Sequence, residues 1–288
     1  VSATDGNGIS KVELYVNSTK VSEKTTAPYT FSLDTTKYTD GQYTLKAIAY
    51  DIAGNSKEIS ITVKIDNTAP TVSITSPTNN AYVSGTINVG VSATDGNGIS
   101  KVELYVNSTK VSEKTTAPYT FSLDTTKYTD GQYTLKAIAY DIVGNSREVT
   151  ITVKIDNTAP TVSITSPTNN AYVSGTINVG VSATDGNGIS KVELYVNSTK
   201  VSEKTTAPYT FSLDTTKYTD GQYTLKAIAY DIAGNSKEIS ITVKIDNTAP
   251  TVSITSPTNN AYVSGTINVG VSATDGNGIS KVELYVNS

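Results

Sequence analysis

The chain has 288 residues, with 22 Lys and Arg against 26 Asp and Glu for a net charge of −4, and it contains no Cys, His, Met or Trp. Absence of Cys removes disulfides, thiol nucleophiles and thiolate zinc sites, and absence of His removes the usual general base and the commonest neutral metal ligand. The charges are interspersed and no long apolar run occurs, so nothing in the sequence makes a nucleic-acid stripe or a membrane span.

The sequence is tiled at a period of 90 residues, the opening Val1–Ser10 recurring at Val91, Val181 and Val271. Copies differ only at Ala53/Val143/Ala233, Lys57/Arg147/Lys237, Ile59/Val149/Ile239 and Ser60/Thr150/Ser240, and each change keeps its chemical class. Any site in such a chain recurs in every copy. The polar stretch Ile65-Asp-Asn-Thr-Ala-Pro-Thr71, repeated at Ile155 and Ile245, stops a strand because Pro lacks an N–H and restrains the residue before it. This divides the chain into a partial module 1–68 lacking its first strand, complete modules 69–158 and 159–248, and a partial module 249–288 holding first strands only. A window on a longer array is expected.

Within 69–158 the apolar residues alternate in run after run, the pattern of half-buried strands. Val72 and Ile74 mark the first strand; Ile87, Val89, Val91 and Ala93 the second, ended by the turn Asp95-Gly-Asn-Gly98. Val102, Leu104 and Val106 mark the third, followed by the hairpin tip Asn107-Ser-Thr109 and a short edge strand around Val111. Tyr119, Phe121 and Leu123 follow, then Tyr133, Leu135, Ala137 and Ala139, the turn Gly144-Asn145, and finally Val149, Ile151, Val153 and Ile155. No helical period is present. The expected fold is all-β: a tandem array of seven-stranded antiparallel Ig-like β-sandwiches. Asp130-Gly-Gln-Tyr133 has the form of a tyrosine corner, in which the hydroxyl bonds back to the preceding loop.

Several linked motifs in order carry a family resemblance: Pro70-Thr-Val-Ser-Ile-Thr-Ser-Pro77, Tyr82-Val-Ser-Gly85, Lys101-Val-Glu-Leu-Tyr-Val106, Ala117-Pro-Tyr-Thr-Phe121, and Asp130 to Asp141 with Gly144-Asn145. Together they resemble the bacterial Ig-like domain family over essentially the whole chain. The resemblance implies an Ig-like or fibronectin-III-like sandwich of the kind found in cell-surface adhesins and as spacers of secreted polysaccharide-degrading enzymes, and it implies no specific ligand.

Asp95, Asn97, Asp141, Asn145, Asp156 and Asn157 are candidate calcium ligands, because calcium takes six to eight oxygens from carboxylates, amides and backbone, and turns gathered at a module end supply them. Similar Asp-Asn-Thr-Ala-Pro junctions occur in the calcium-stiffened adhesins of the resemblance. Turn chemistry alone also selects Asp, Asn and Gly. Asn17, Asn107 and Asn197 each open an Asn-Ser-Thr sequon at a hairpin tip, where glycosylation requires exposure. Tyr105 and Tyr140 fall on the polar phase of their strands and are expected to form a surface aromatic patch, suited to stacking on sugar rings or explained by cross-strand pairing alone. Glu103, Glu113 and Glu148 are expected on solvated faces, which argues against a glycosidase carboxylate pair.

The expected function is non-catalytic and structural: an extracellular array at the cell surface, serving as the stalk of an adhesin or as a building block of a fibre. The alternative is a carbohydrate-binding or spacer region of a secreted polysaccharide-degrading enzyme. Expected partners are the other modules, neighbouring copies of the chain, and a glycan or cell-surface ligand; no cofactor is expected beyond Ca2+ at the junctions. Residues 249–288 contain the strand that 1–68 lack, but Val271–Ser288 duplicates Val1–Ser18, so completion by a neighbouring chain carries 18 surplus residues.

Overall fold

The computed structural model describes residues 1–287. The chain divides into two compact units, one made of residues 1–81, 86–124 and 132–154, the other of 82–85, 125–131 and the chain from Ile155 onward. The third copy lies entirely within the second unit and shows how a copy is built. Thr161–Ser166, Thr176–Thr184 and Tyr209–Asp214 form a three-stranded sheet in that order. A five-stranded sheet runs Ala171–Val173, Ser236–Ile245, Gly221–Asp231, Ile189–Val196, Thr199–Lys204.

All seven expected strands are present, and the structure adds an eighth, Ala171–Val173, which pairs parallel with Val243–Ile245. The other strand pairs of this copy are antiparallel. Inward-facing residues of the two sheets meet in one core, where Val179, Val192, Leu194, Leu225, Ala227, Ala229 and Val243 are fully buried around Phe211. Each strand supplies every second residue, because side chains alternate between faces. One bulge is sterically specified: the register shifts between Ile164 and Ser166, and Thr165 Oγ1 lies 2.7 Å from where a Cβ on Gly180 would stand. Only glycine leaves room for it.

Two further details follow from local chemistry. Thr215–Lys217 makes a single 3₁₀ turn capped by Asp214, whose carboxylate accepts from Thr216 N. The tyrosine corner forms: in the first copy the Tyr43 hydroxyl donates to Thr39 O at 3.0 Å.

In the first unit, Thr19–Lys24, Ile9–Val16, Gly41–Asp51 and Ser56–Ile65 form a four-stranded sheet in that order, with a small core of Val12, Tyr29 and Ala47. The same unit holds the second copy's three-stranded sheet of Thr71–Ser76, Thr86–Thr94 and Tyr119–Asp124. In the second unit the fourth copy contributes Thr251–Ser256 paired with Gly270–Thr274.

Candidate cation-binding joints

Strand direction decides which turns gather around each linker. Gly221–Asp231 and Ser236–Ile245 are antiparallel, with Gly221 opposite Ile245 and Tyr230 opposite Ser236. The turn beginning at Asp231 and the linker residue Asp246 therefore leave the copy at opposite ends. The turn at Asp185 follows Thr184, which lies opposite Thr161 at the start of the copy. Asp185 and Asp231 thus share the entry end with Asp156.

Two carboxylate clusters result, Asp66 with Asp95 and Asp141, and Asp156 with Asp185 and Asp231; in each, one oxygen from every member lies within 4.8 Å of the others. This corrects the grouping expected from the sequence. Asp95 and Asp141 are brought together, but with Asp66; Asp156 joins the copy that follows it.

The asparagines take different parts. Asn145 Nδ2 donates to Asp66 O at 3.1 Å and to Asp141 Oδ2 at 2.8 Å, so it ties linker to turn. Asn97 N donates to Asp95 Oδ1 at 2.8 Å, closing the turn. In the second cluster Asn187 Nδ2 donates to Asp156 Oδ2 at 2.9 Å, and Asn235 Nδ2 to Asp156 O at 2.8 Å. Asn157 stands outside both clusters. Its Oδ1 accepts from Gly85 N and Thr125 Oγ1, its Nδ2 donates to Thr125 O, and its backbone N donates to Asp130. It closes the exit end of a copy.

Asp141, Asp156 and Asp231 are each only 1 % exposed. Carboxylates about 5 Å apart repel by on the order of 3 kcal/mol per pair at an effective dielectric of about 20. Donated N–H bonds offset part of this: Asp141 Oδ1 accepts from the backbone of Val143, Gly144 and Asn145. Asp66 Oδ2 is buried without a hydrogen-bond partner. An all-oxygen set with an orphaned carboxylate oxygen fits a hard divalent cation such as calcium, and lacks the nitrogen and sulfur ligands that favour zinc.

The aromatic patch is organised by charge. Tyr105 and Tyr140 are half-buried on one sheet face with Glu103 between them. Glu103 accepts from Lys101 at 2.6 Å, Lys110 at 2.7 Å and the Tyr105 hydroxyl at 2.8 Å. Lys101 Nζ sits 4.7 Å from the Tyr140 ring centroid and Lys136 Nζ 4.9 Å from that of Tyr105. Glu103 is 4 % exposed, which corrects the expectation of a solvated position. Burial opposes its ionisation, but the bonds from Lys101, Lys110 and Tyr105 prevail and hold the carboxyl at about 2. The tyrosines are therefore tiled with lysines and do not form a bare apolar platform. Asn17, Asn107 and Asn197 are exposed at left-handed hairpin tips, and Asn107 Oδ1 accepts from Thr134 N at 3.0 Å.

Two packed sheets repeated along one chain define a tandem Ig-like array. The chain belongs to the bacterial Ig domain family, whose model matches residues 1–47, 70–137, 160–227 and 250–288. It is 31 % identical over 296 residues to exoglucanase B of Cellulomonas fimi, covering 94 % of this chain and 26 % of that protein. It is 25 % identical to the long isoform of an ulvan lyase from an Alteromonas species, covering 80 % of this chain and 28 % of that protein. The chain thus spans about a quarter of the length of these relatives. Among solved structures it is similar to fibronectin(III)-like modules of Clostridium thermocellum CbhA, with 29 % identity, 62 % of this chain and 94 % of that one covered, and a TM-score of 0.47. It also matches a tetra-tandem repeat from the extending region of a large adhesion protein, with 27 % identity, 86 % and 70 % covered, and a TM-score of 0.29.

Proposed function

We propose that the chain is a non-catalytic structural array that works outside the cell, holding what it is attached to at a distance, with a divalent cation at each joint. The observation that carries this reading is the linker residue Asp156. Its backbone N donates to Val83 O at 3.0 Å, its carbonyl accepts from Asn235, and its carboxylate accepts from Asn187. A residue bonded on both sides couples consecutive copies and restricts hinging between them. Asp66, Asp95 and Asp141 would hold the cation at one joint and Asp156, Asp185 and Asp231 at the next; the ion would supply charge neutralisation there. The names of the exoglucanase and ulvan lyase relatives support a spacer within a polysaccharide-degrading enzyme as the second reading.

Thermal melts of the chain with calcium and with chelator test the cation. The expected result is a higher midpoint with calcium, abolished by the double substitution Asp141→Asn and Asp231→Asn. An unchanged midpoint on chelation overturns the cation sites. Distance measurements between spin labels on the two sides of Asp156 test the spacer itself: a single narrow distribution is expected, and a broad one typical of a free linker overturns it.

A further inference from the structure

The turns Asp95-Gly-Asn-Gly98 and Asp185-Gly-Asn-Gly188 each end in an Asn-Gly pair, a dipeptide with a reaction of its own. Both asparagines are exposed, and Gly98 and Gly188 adopt φ of +108° and +104°. Asparagine is chemically labile, and most so before glycine, which has no Cβ to screen its backbone nitrogen. That nitrogen attacks Cγ of the preceding side chain: the N–Cγ bond forms, the Cγ–Nδ2 bond breaks, and the amide nitrogen leaves as ammonia with the proton of the glycine N–H. Water then opens the resulting succinimide to aspartate or isoaspartate.

The two turns have the same sequence but are held differently. Asn187 Nδ2 donates to Asp156 Oδ2 at 2.9 Å, and Ile232 N donates to Gly188 O at 3.3 Å. Ile232 Cδ1 also stands 3.2 Å from where a Cβ on Gly188 would lie. Around Asn97 each of these restraints is missing among the described residues. Only its backbone N is held, by Asp95 Oδ1 at 2.8 Å, and Asp66 Oδ2, the counterpart of Asp156 Oδ2, is buried without a partner. The space above Gly98 is open, and Ile142, the counterpart of Ile232, is 63 % exposed.

The sequence supplies a cause. Of the four differences between these copies, only Val143 for Ala233 lies in the turn that carries Ile142 and Ile232. In the first copy, which also has alanine there, Ile52 Cδ1 stands 3.3 Å from the Cβ position of Gly8, as Ile232 does over Gly188. Valine branches at Cβ and is the stiffer residue. In its turn the backbone nitrogens of Val143 and Gly144 both donate to Asp141 Oδ1, and the isoleucine stays off the glycine.

We propose that Asn97 is a site of spontaneous deamidation, that Asn187 is protected from it, and that the choice of Val143 or Ala233 sets the difference. An amide tethered to Asp156 cannot swing toward the next nitrogen without breaking its bond, whereas the Asn97 amide is free to turn. Conversion places a fourth carboxylate beside Asp66, Asp95 and Asp141, so one joint gains negative charge with age while the next keeps its donor. Like charges at this spacing repel, so the converted joint is the weaker one unless a cation is bound.

Mass spectrometry of the aged 288-residue chain tests this, with chelator present throughout so that the outcome does not depend on the cation sites. Cleavage after glutamate releases 59–103 and 149–193 as separate peptides, and Asn277→Gln shifts the mass of 239–283, which is otherwise identical to 59–103. In mildly alkaline buffer the amide-to-acid mass gain is expected to accumulate several-fold faster in 59–103 than in 149–193, with fragmentation placing it at position 97. Val143→Ala is expected to slow it there, and Ala233→Val to speed it at position 187; both substitutions lie outside the two peptides. Equal rates at the two positions, a gain located elsewhere in 59–103, or rates that ignore the exchange of alanine and valine overturn the proposal.

Discussion

Glu103 and its counterparts Glu13 and Glu193 show how a single side chain is converted from surface to interior by its neighbours. Each is 4 % exposed and lies under two lysines and a tyrosine from its own and the adjoining strand. Each carboxyl is held at about 2, below its ordinary 4.5. A carboxyl depressed in the folded state contributes stability that is fully present above about 4.5 and is lost as pH falls toward 2. The melting midpoint is therefore expected to fall across that window, and replacing all three residues by Gln is expected to flatten the fall while lowering the midpoint at neutral pH. Losing a buried acceptor of this kind costs roughly 1–3 kcal/mol. A pH profile unchanged by the triple substitution would remove these carboxylates as its cause. Alternation placed Glu103 on the outward face correctly but could not reveal its burial, because the covering lysines come from positions two and seven residues away. Likewise the Asp and Asn residues of the joints were legible as a set, whereas their grouping required knowing which strand end each turn occupies.

At the scale of elements, long alternating strands were readable because each supplies three or four inward residues. Ala171–Val173 was not, since three residues are too few to establish a period and Asn169-Asn170 before them reads as a turn. The bulge at Thr165 was equally hidden; its only trace in the sequence is Gly180, which interrupts the strand Thr176–Thr184. Gly180→Ala is expected to destabilise the third copy by about 1–3 kcal/mol through the clash with Thr165 Oγ1. Because the backbone there suits any residue, Thr165→Ala in the same molecule is expected to recover most of the loss in chemical denaturation. No recovery in that double-mutant cycle would mean the steric account is wrong.

For the whole molecule, the near-identity of the copies means that a property of one complete copy recurs with the period of the chain. The short parallel strand then acquires a mechanical meaning. Ala171–Val173 comes early in the copy in chain order but pairs beside its exit end, and its partner Ser236–Ile245 is the strand by which the chain leaves. Tension between the two ends drags these parallel strands past each other in shear, loading Asn170 N to Thr242 O, Asp246 N to Val173 O and Thr242 N to Asn169 Oδ1 together instead of one after another. Pulling the chain in a force spectrometer is expected to give a distinct rupture for each complete copy, and Asn169→Ala is expected to lower one of them while sparing the other. A strand of three residues would then set the load at which a copy gives way.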